Sequence, residues 1–181
     1  MASMRSSVTG TPASLVLIDL NSLFHSCKRT FNRRPNYSVL LEAVKCFNPT
    51  LIAFGVETGR EHYFRKYLQD LGCLTIFRRP KVYENGTRTA SVDVNIAIEG
   101  MRGLHDHNGL ILFSNDHNLA PLVTEYRNNQ KFVFTVGLEI SKELRERSTK
   151  FTEITIDAVD QTTVGLELLP DQSRDALRTE C

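Results

Sequence analysis

Apolar runs and polar breaks alternate along this chain in a regular order. Leu15–Ile18 is a short continuous apolar run, and Leu51–Val56, Cys73–Phe77, Leu110–Phe113 and Lys131–Val136 repeat the form. Runs of this length without polar alternation suit strands covered on both faces, as in a parallel sheet. Between them the period lengthens. Asn21–Arg29, Tyr37–Phe47, Glu61–Leu71, the stretch opening at Asp93, and Leu119–Tyr126 carry apolar residues three and four apart, the helical spacing. Asn48-Pro49 breaks the second of these, and Gly72 has the position of a helix C-cap after the third. In the Asp93 stretch the expected apolar face is Val94, Ala97, Ile98, Met101 and Leu104, with an end near Gly103. Ser141–Arg147 reads as a short helix capped by Ser141, and Phe151–Ile156 as a final short strand. Strands alternating with helices predict an α/β fold with a mostly parallel sheet of about five strands and helices on both faces.

One segment departs from this alternation. Arg78-Arg79-Pro80-Lys81-Val82-Tyr83-Glu84-Asn85-Gly86-Thr87-Arg88 holds an Asn-Gly pair, a strong hairpin signal, so an arm is expected just before Asp93. Arg78, Arg79, Lys81 and Arg88 on such an arm suit either a clamp on a polyanion backbone or a hairpin kept soluble by charge.

Composition narrows the classes. With 181 residues, 41% hydrophobic and 24% charged, one soluble domain is expected. A net charge of +1 gives no global field, so attraction to nucleic acid must come from a local patch. Lys28, Arg29, Arg33 and Arg34 around Phe31 form one such cluster, a solvated helix end or a nucleic-acid contact. Cys27, Cys46, Cys73 and Cys181 contain no CxxC pair, which argues against zinc and fits a reducing, cytoplasmic location. No apolar run approaches the roughly 20 residues of a membrane span. Residues 1–14 are expected to be a disordered leader, 15–156 the domain and 157–181 a C-terminal tail. His105-Asp106-His107 reads as loop polarity. Walker A, GxGxxG and GxSxG motifs are absent.

The candidate chemistry lies at three element starts. Leu15–Ile18 ends in Asp19-Leu20-Asn21-Ser22, Ser91-Val92-Asp93 opens a helix, and Leu110–Phe113 ends in Ser114-Asn115-Asp116-His117-Asn118. Helix capping explains any single aspartate of these. All three together at the carboxyl rim of a sheet would form a carboxylate cluster. Two ionised carboxylates about 4 Å apart repel by roughly 4 kcal/mol at an effective dielectric near 20, so such a cluster calls for a cation. Oxygen ligands favour Mg²⁺ or Mn²⁺. Asp19-Leu20-Asn21 lacks the second aspartate of an aspartyl-phosphate phosphatase, which leaves metal-dependent phosphodiester hydrolysis. Asn21, Ser22, Ser114 and Asn118 are candidates to orient water or phosphate oxygens.

The ordered set Leu17-Ile18-Asp19-Leu20-Asn21-Ser22-Leu23, Ser91-Val92-Asp93-Val94-Asn95-Ile96-Ala97-Ile98-Glu99 and Leu112–Val123 resembles the NYN (LabA-like) family of the PIN-like nuclease superfamily, over about Leu15 to Ile154. The resemblance implies a PIN-like three-layer α/β/α fold and a Mg²⁺- or Mn²⁺-dependent ribonuclease with Asp19, Asp93 and Asp116 as catalytic metal ligands. RNA is then the partner, with Arg78, Arg79, Lys81 and Arg88 gripping its backbone; a homodimer is left open. Two departures stand out: Asn118 and Glu99 occupy positions where family members often carry Asp. The loss of charge at Asn118 keeps an alternative in play, a weakened NYN domain serving as an RNA-binding or protein-interaction module.

Overall fold

The computed structural model describes residues 13–82 and 88–159, the side chains of residues 82, 88 and 89 excepted. Six strands form its central sheet: β1 (Ser14–Asp19), β2 (Thr50–Val56), β3 (Leu74–Arg78), β6 (Gly109–Phe113), β7 (Phe132–Gly137) and β8 (Lys150–Glu153). Their order is β3-β2-β1-β6-β7-β8, and every neighbouring pair is parallel. That is one strand beyond the five or so expected, because Lys150–Glu153 pairs with Phe134–Gly137.

Uniform burial of β1 and β6 follows from cover on both sides. Val16 and Ile18 face a core shared with α1 (Leu20–Phe31), α2 (Tyr37–Glu42) and α3 (His62–Asp70). Leu15 and Leu17 face a second core with α4 (Asp93–Gly103), α5 (Ala120–Asn128) and α6 (Lys142–Arg147). The result is three layers, α/β/α, the fold of a PIN-like domain. Gly72, at φ +88°, ends the α3 turn in the left-handed region, as a C-cap glycine should. Ala158 and Val159 are buried in the first core, so the packed chain runs past Ile156.

Two elements differ from the sequence reading. The expected Tyr37–Phe47 helix stops at Glu42, and Lys45–Phe47 forms a separate 3₁₀ turn. The Ala43 N–H still makes the helical bond to Val39 O at 3.2 Å, but the Val44 N–H bonds to Leu41 O at 3.2 Å, a three-residue closure that tightens the backbone out of the α-helical path. The second difference concerns α4. Its buried residues are Ile96, Gly100 and Gly103, with Leu104 following, whereas Val94, Ile98 and Met101 are 67%, 44% and 44% exposed. Small residues, not the apolar stripe, set which side turns inward. A Cβ on Gly100 would stand 2.7 Å from both δ carbons of Leu122, and one on Gly103 would stand 2.5 Å from Leu15 Cδ2. The Tyr126 hydroxyl donates to Gly100 O at 2.8 Å and completes the α4–α5 junction. Gly100→Ala is therefore expected to cost about 1–3 kcal/mol by overpacking, read as a lower urea midpoint with an unchanged slope.

β4 (Lys81–Val82) and β5 (Arg88–Thr89) pair antiparallel, Lys81 opposite Thr89. This ladder has the form of the expected arm; the Asn85-Gly86 turn and Tyr83 lie outside the described residues. His107 is structural: its ring nitrogens meet Gly103 O at 3.0 Å and Thr50 Oγ1 at 3.1 Å. No described helix is long and apolar enough to cross a membrane.

Candidate active site

Because all six strands run the same way, their carboxyl ends share one rim. β1 and β6 are neighbours there, with Ile18 opposite Phe113. The chain winds from β1 outward to β3 on one side and from β6 outward to β8 on the other, so the crevice between β1 and β6 is the topological switch point. Asp19 ends β1, and Ser114-Asn115-Asp116 follows β6 directly. α4 begins beside the same crevice with Asp93.

An open pocket of about 420 Å³ occupies this place, and Asp19, Asp93 and Asp116 all line it, together with Asn21, Ser22, His25, Ser91 and Asn115. Two of the three aspartates do also cap. Asp19 accepts from the Ser22 N–H at 3.0 Å, and Asp116 accepts from the Asn118 N–H at 2.9 Å. Asp93 does not: it is the first residue of α4, and its own N–H donates to Ser91 Oγ at 3.2 Å. Capping therefore leaves Asp93 unexplained.

Asp19 is only 3% exposed. Burial, reinforced by the nearby charges of Asp93 and Asp116, pushes its carboxyl up from 3.8 to about 6, against the Ser22 and Ser114 hydrogen bonds that favour the anion. Asp93 and Asp116 thus each stand within electrostatic reach of Asp19. The three are not drawn into a cage, since among the described residues no three of His, Cys, Asp and Glu stand close enough together to hold an ion directly. Asp116 has His117 beside it, Nδ1 at 3.5 Å from Oδ1, and none of the three aspartates is paired with a lysine or arginine among the described residues.

The supporting residues divide. Asn21 and Ser22 line the pocket, whereas Ser114 is fully buried: it donates to Asp19 Oδ2 at 3.3 Å and accepts the Asp116 N–H at 3.2 Å, so it acts by holding those two aspartates. Asn118 is exposed and outside the lining. Glu99 pairs with Arg102 at 2.5 Å and also stays outside. Arg78, Arg79 and Lys81 are exposed near the end of β3 without entering the lining; Arg79 is held 3.1 Å from Glu57, and the Arg88 side chain lies outside the described set. Asn115 and His25 also line the pocket, although neither was a site candidate from sequence. Asn115 ties the crevice together: it exchanges hydrogen bonds with Ser22, donates from Nδ2 to Leu138 O at 3.0 Å, and accepts the Ser141 N–H at 3.3 Å. His25 stands one turn beyond Ser22, and that i, i+3 spacing was the signal available.

A family model described as NYN domain matches residues 14–157. No curated protein sequence matches. The crystal structure of a protein of unknown function from Vibrio parahaemolyticus superposes with a TM-score of 0.75 at 17% identity, over 83% of this chain and 97% of that one, a likeness of fold. A 3-dehydroquinate dehydratase-like protein from Bifidobacterium longum reaches a TM-score of 0.30 at 11% identity, over 57% of this chain and 81% of that one, and carries no argument.

Proposed function

The chain belongs to the NYN domain family, a PIN-like nuclease family acting on RNA, and from that premise we propose that it is a ribonuclease that hydrolyses RNA phosphodiester bonds with Mg²⁺ or Mn²⁺. The observation that carries this reading is the meeting of Asp19, Asp93 and Asp116 in one open pocket at the switch point. The donor set fits a hard divalent cation. Carboxylate oxygens are the right ligands, and spacing too wide for a common cage suits an ion that keeps several waters and takes only one or two carboxylates directly. When bound, such a cation supplies a nucleophile at neutral pH and offsets charge on the scissile phosphate.

The chain's own residues do the rest. Asp19, buried and held by Ser22 and Ser114, presents a carboxylate of fixed direction. Asp93 and Asp116 approach from the α4 and β6 sides, so a phosphodiester entering the pocket meets carboxylates on more than one wall. Asn21 and Ser22 offer polar groups to water or phosphate oxygens. Arg78, Arg79, Lys81 and Arg88 hold the flanking backbone in this reading; the exposed Glu57–Arg79 pair, worth at most about 1 kcal/mol, is weak enough to exchange for phosphate. The motif order supports a place in the LabA-like branch. Cys27 and Cys73, buried thiols pushed up to about 11, are inert and suit a cytoplasmic protein. A homodimer has no support among these observations.

A second reading, an RNA-binding or protein-interaction module without catalysis, is favoured by Asn118, which lacks the charge of an aspartate at that position. Calorimetric titration with Mn²⁺ followed by incubation with labelled RNA separates the two. Saturable Mn²⁺ uptake with cleavage is the expected result; RNA retention without Mn²⁺ uptake overturns the nuclease and leaves the module.

A further inference from the structure

The basic cluster after the first strand is not absorbed by the pocket chemistry, yet it shares an element with the pocket. α1 buries Leu20, Leu23 and Cys27 on one side. Its opposite side carries Asn21, Ser22, His25, Lys28 and Arg29 at helical spacing, partly or fully exposed. The first three line the pocket, and the last two are the cations of the helix's final turn. One continuous ribbon thus leads from the carboxylates to a positive end about 10 Å along the helix axis. Beside His25 stands Phe24, 37% exposed although large and apolar, with ring centroids 5.4 Å apart and planes at 77°. A surface phenylalanine edge-on to a pocket-lining imidazole leaves aromatic area open to a planar ligand. Among the described residues no partner holds Lys28, and Arg29 makes only an exposed pair with Glu139.

We infer that the outer side of α1 is a binding track for single-stranded RNA, in which Phe24 and His25 stack an unpaired base next to the pocket and Lys28 and Arg29 take the following phosphate. The inference rests on the RNA reading of the site and adds its substrate class. Stacking needs a base that is free to leave its neighbours, and a duplex does not offer one. A helix is also a stiff support, so aromatic and cationic groups hold a constant spacing from the carboxylates. The ligand identified by this chemistry is an unpaired purine or pyrimidine joined to a phosphate backbone, with no base-edge reading implied.

Fluorescence anisotropy of the full chain in EDTA, where nothing is cleaved, tests it with a labelled oligoribonucleotide alone and annealed to its complement. Phe24→Ala is expected to weaken single-strand binding by about 5- to 100-fold and leave duplex binding unchanged. Phe24→Trp should retain the affinity, and quenching of a 2-aminopurine in the strand should fall in Phe24→Ala and persist in Phe24→Trp. Lys28→Ala should lower the salt slope of log affinity by about 0.7. Wild-type affinity for the single strand in both Phe24→Ala and His25→Ala overturns the track, as does equal loss on both RNA forms, or a wild-type chain that binds neither. The nuclease reading fails separately: a wild type that shows this binding pattern and does not cut in Mn²⁺ keeps the track and loses the enzyme.

Discussion

Asp93→Asn is expected to lower Mn²⁺-dependent RNA cleavage by roughly a thousandfold, the consequence of losing about 4 kcal/mol of transition-state stabilisation. Asp93 is the cleanest probe of the site because it caps nothing; Val92 holds the cap position of α4 and makes no side-chain cap bond. Asparagine matches aspartate in shape and removes only the charge, so the circular dichroism spectrum and thermal midpoint should stay close to wild type. Asp19→Asn and Asp116→Asn should give losses of the same order, with their caps preserved, since asparagine serves at an N-cap as well as aspartate. Initial rates on a labelled RNA, with protein purified from each variant in parallel, measure the effect. Wild-type rates in all three variants would remove carboxylate-held metal chemistry from this pocket.

The opposite change is expected in stability. Without a cation, Asp19→Asn should make the folded chain more stable near pH 7.5 by up to about 3 kcal/mol, the value of a carboxyl raised from 3.8 to about 6. The folded state holds the Asp19 proton more tightly than the unfolded chain does. Between about pH 4 and pH 6 the folded form is therefore the more protonated one, and stability falls as pH rises through that window. Above it the full penalty of a buried anion remains. Asparagine carries no such charge, so the variant's advantage should appear above pH 6 and vanish near pH 4. A chain of this size gains about 2–4 °C in thermal midpoint per kcal/mol, which makes the difference easy to read by scanning calorimetry. Mn²⁺ should stabilise the wild type above pH 6 more than the variant, because the cation replaces the missing countercharge. Equal midpoints for the two proteins at both pH values would show that Asp19 carries no such cost.

Local order was visible in the residues themselves. The continuous apolar runs Leu15–Ile18 and Leu110–Phe113 announced strands covered on both sides, and both are wholly buried in the sheet. Asp19, Ser141 and Gly72 stood where helices begin or end, and each takes that part. Such signals are local, since strand alternation, helical spacing and caps depend on neighbours within four positions. What faces inward on α4 was not local. Val94, Ile98 and Met101 made the stronger apolar stripe, yet Gly100 and Gly103 turned inward because only they let the helix approach Leu122 and Leu15. Nor could spacing show that Ser114 is sealed beneath Asp19 or that Asn115 bridges Ser22 to Leu138. The chain alone determined that Asp19, Asp93 and Asp116 each begin a new element. That they share one pocket was decided by the placing of β6 beside β1, a contact between segments far apart in sequence, which no short-range period encodes.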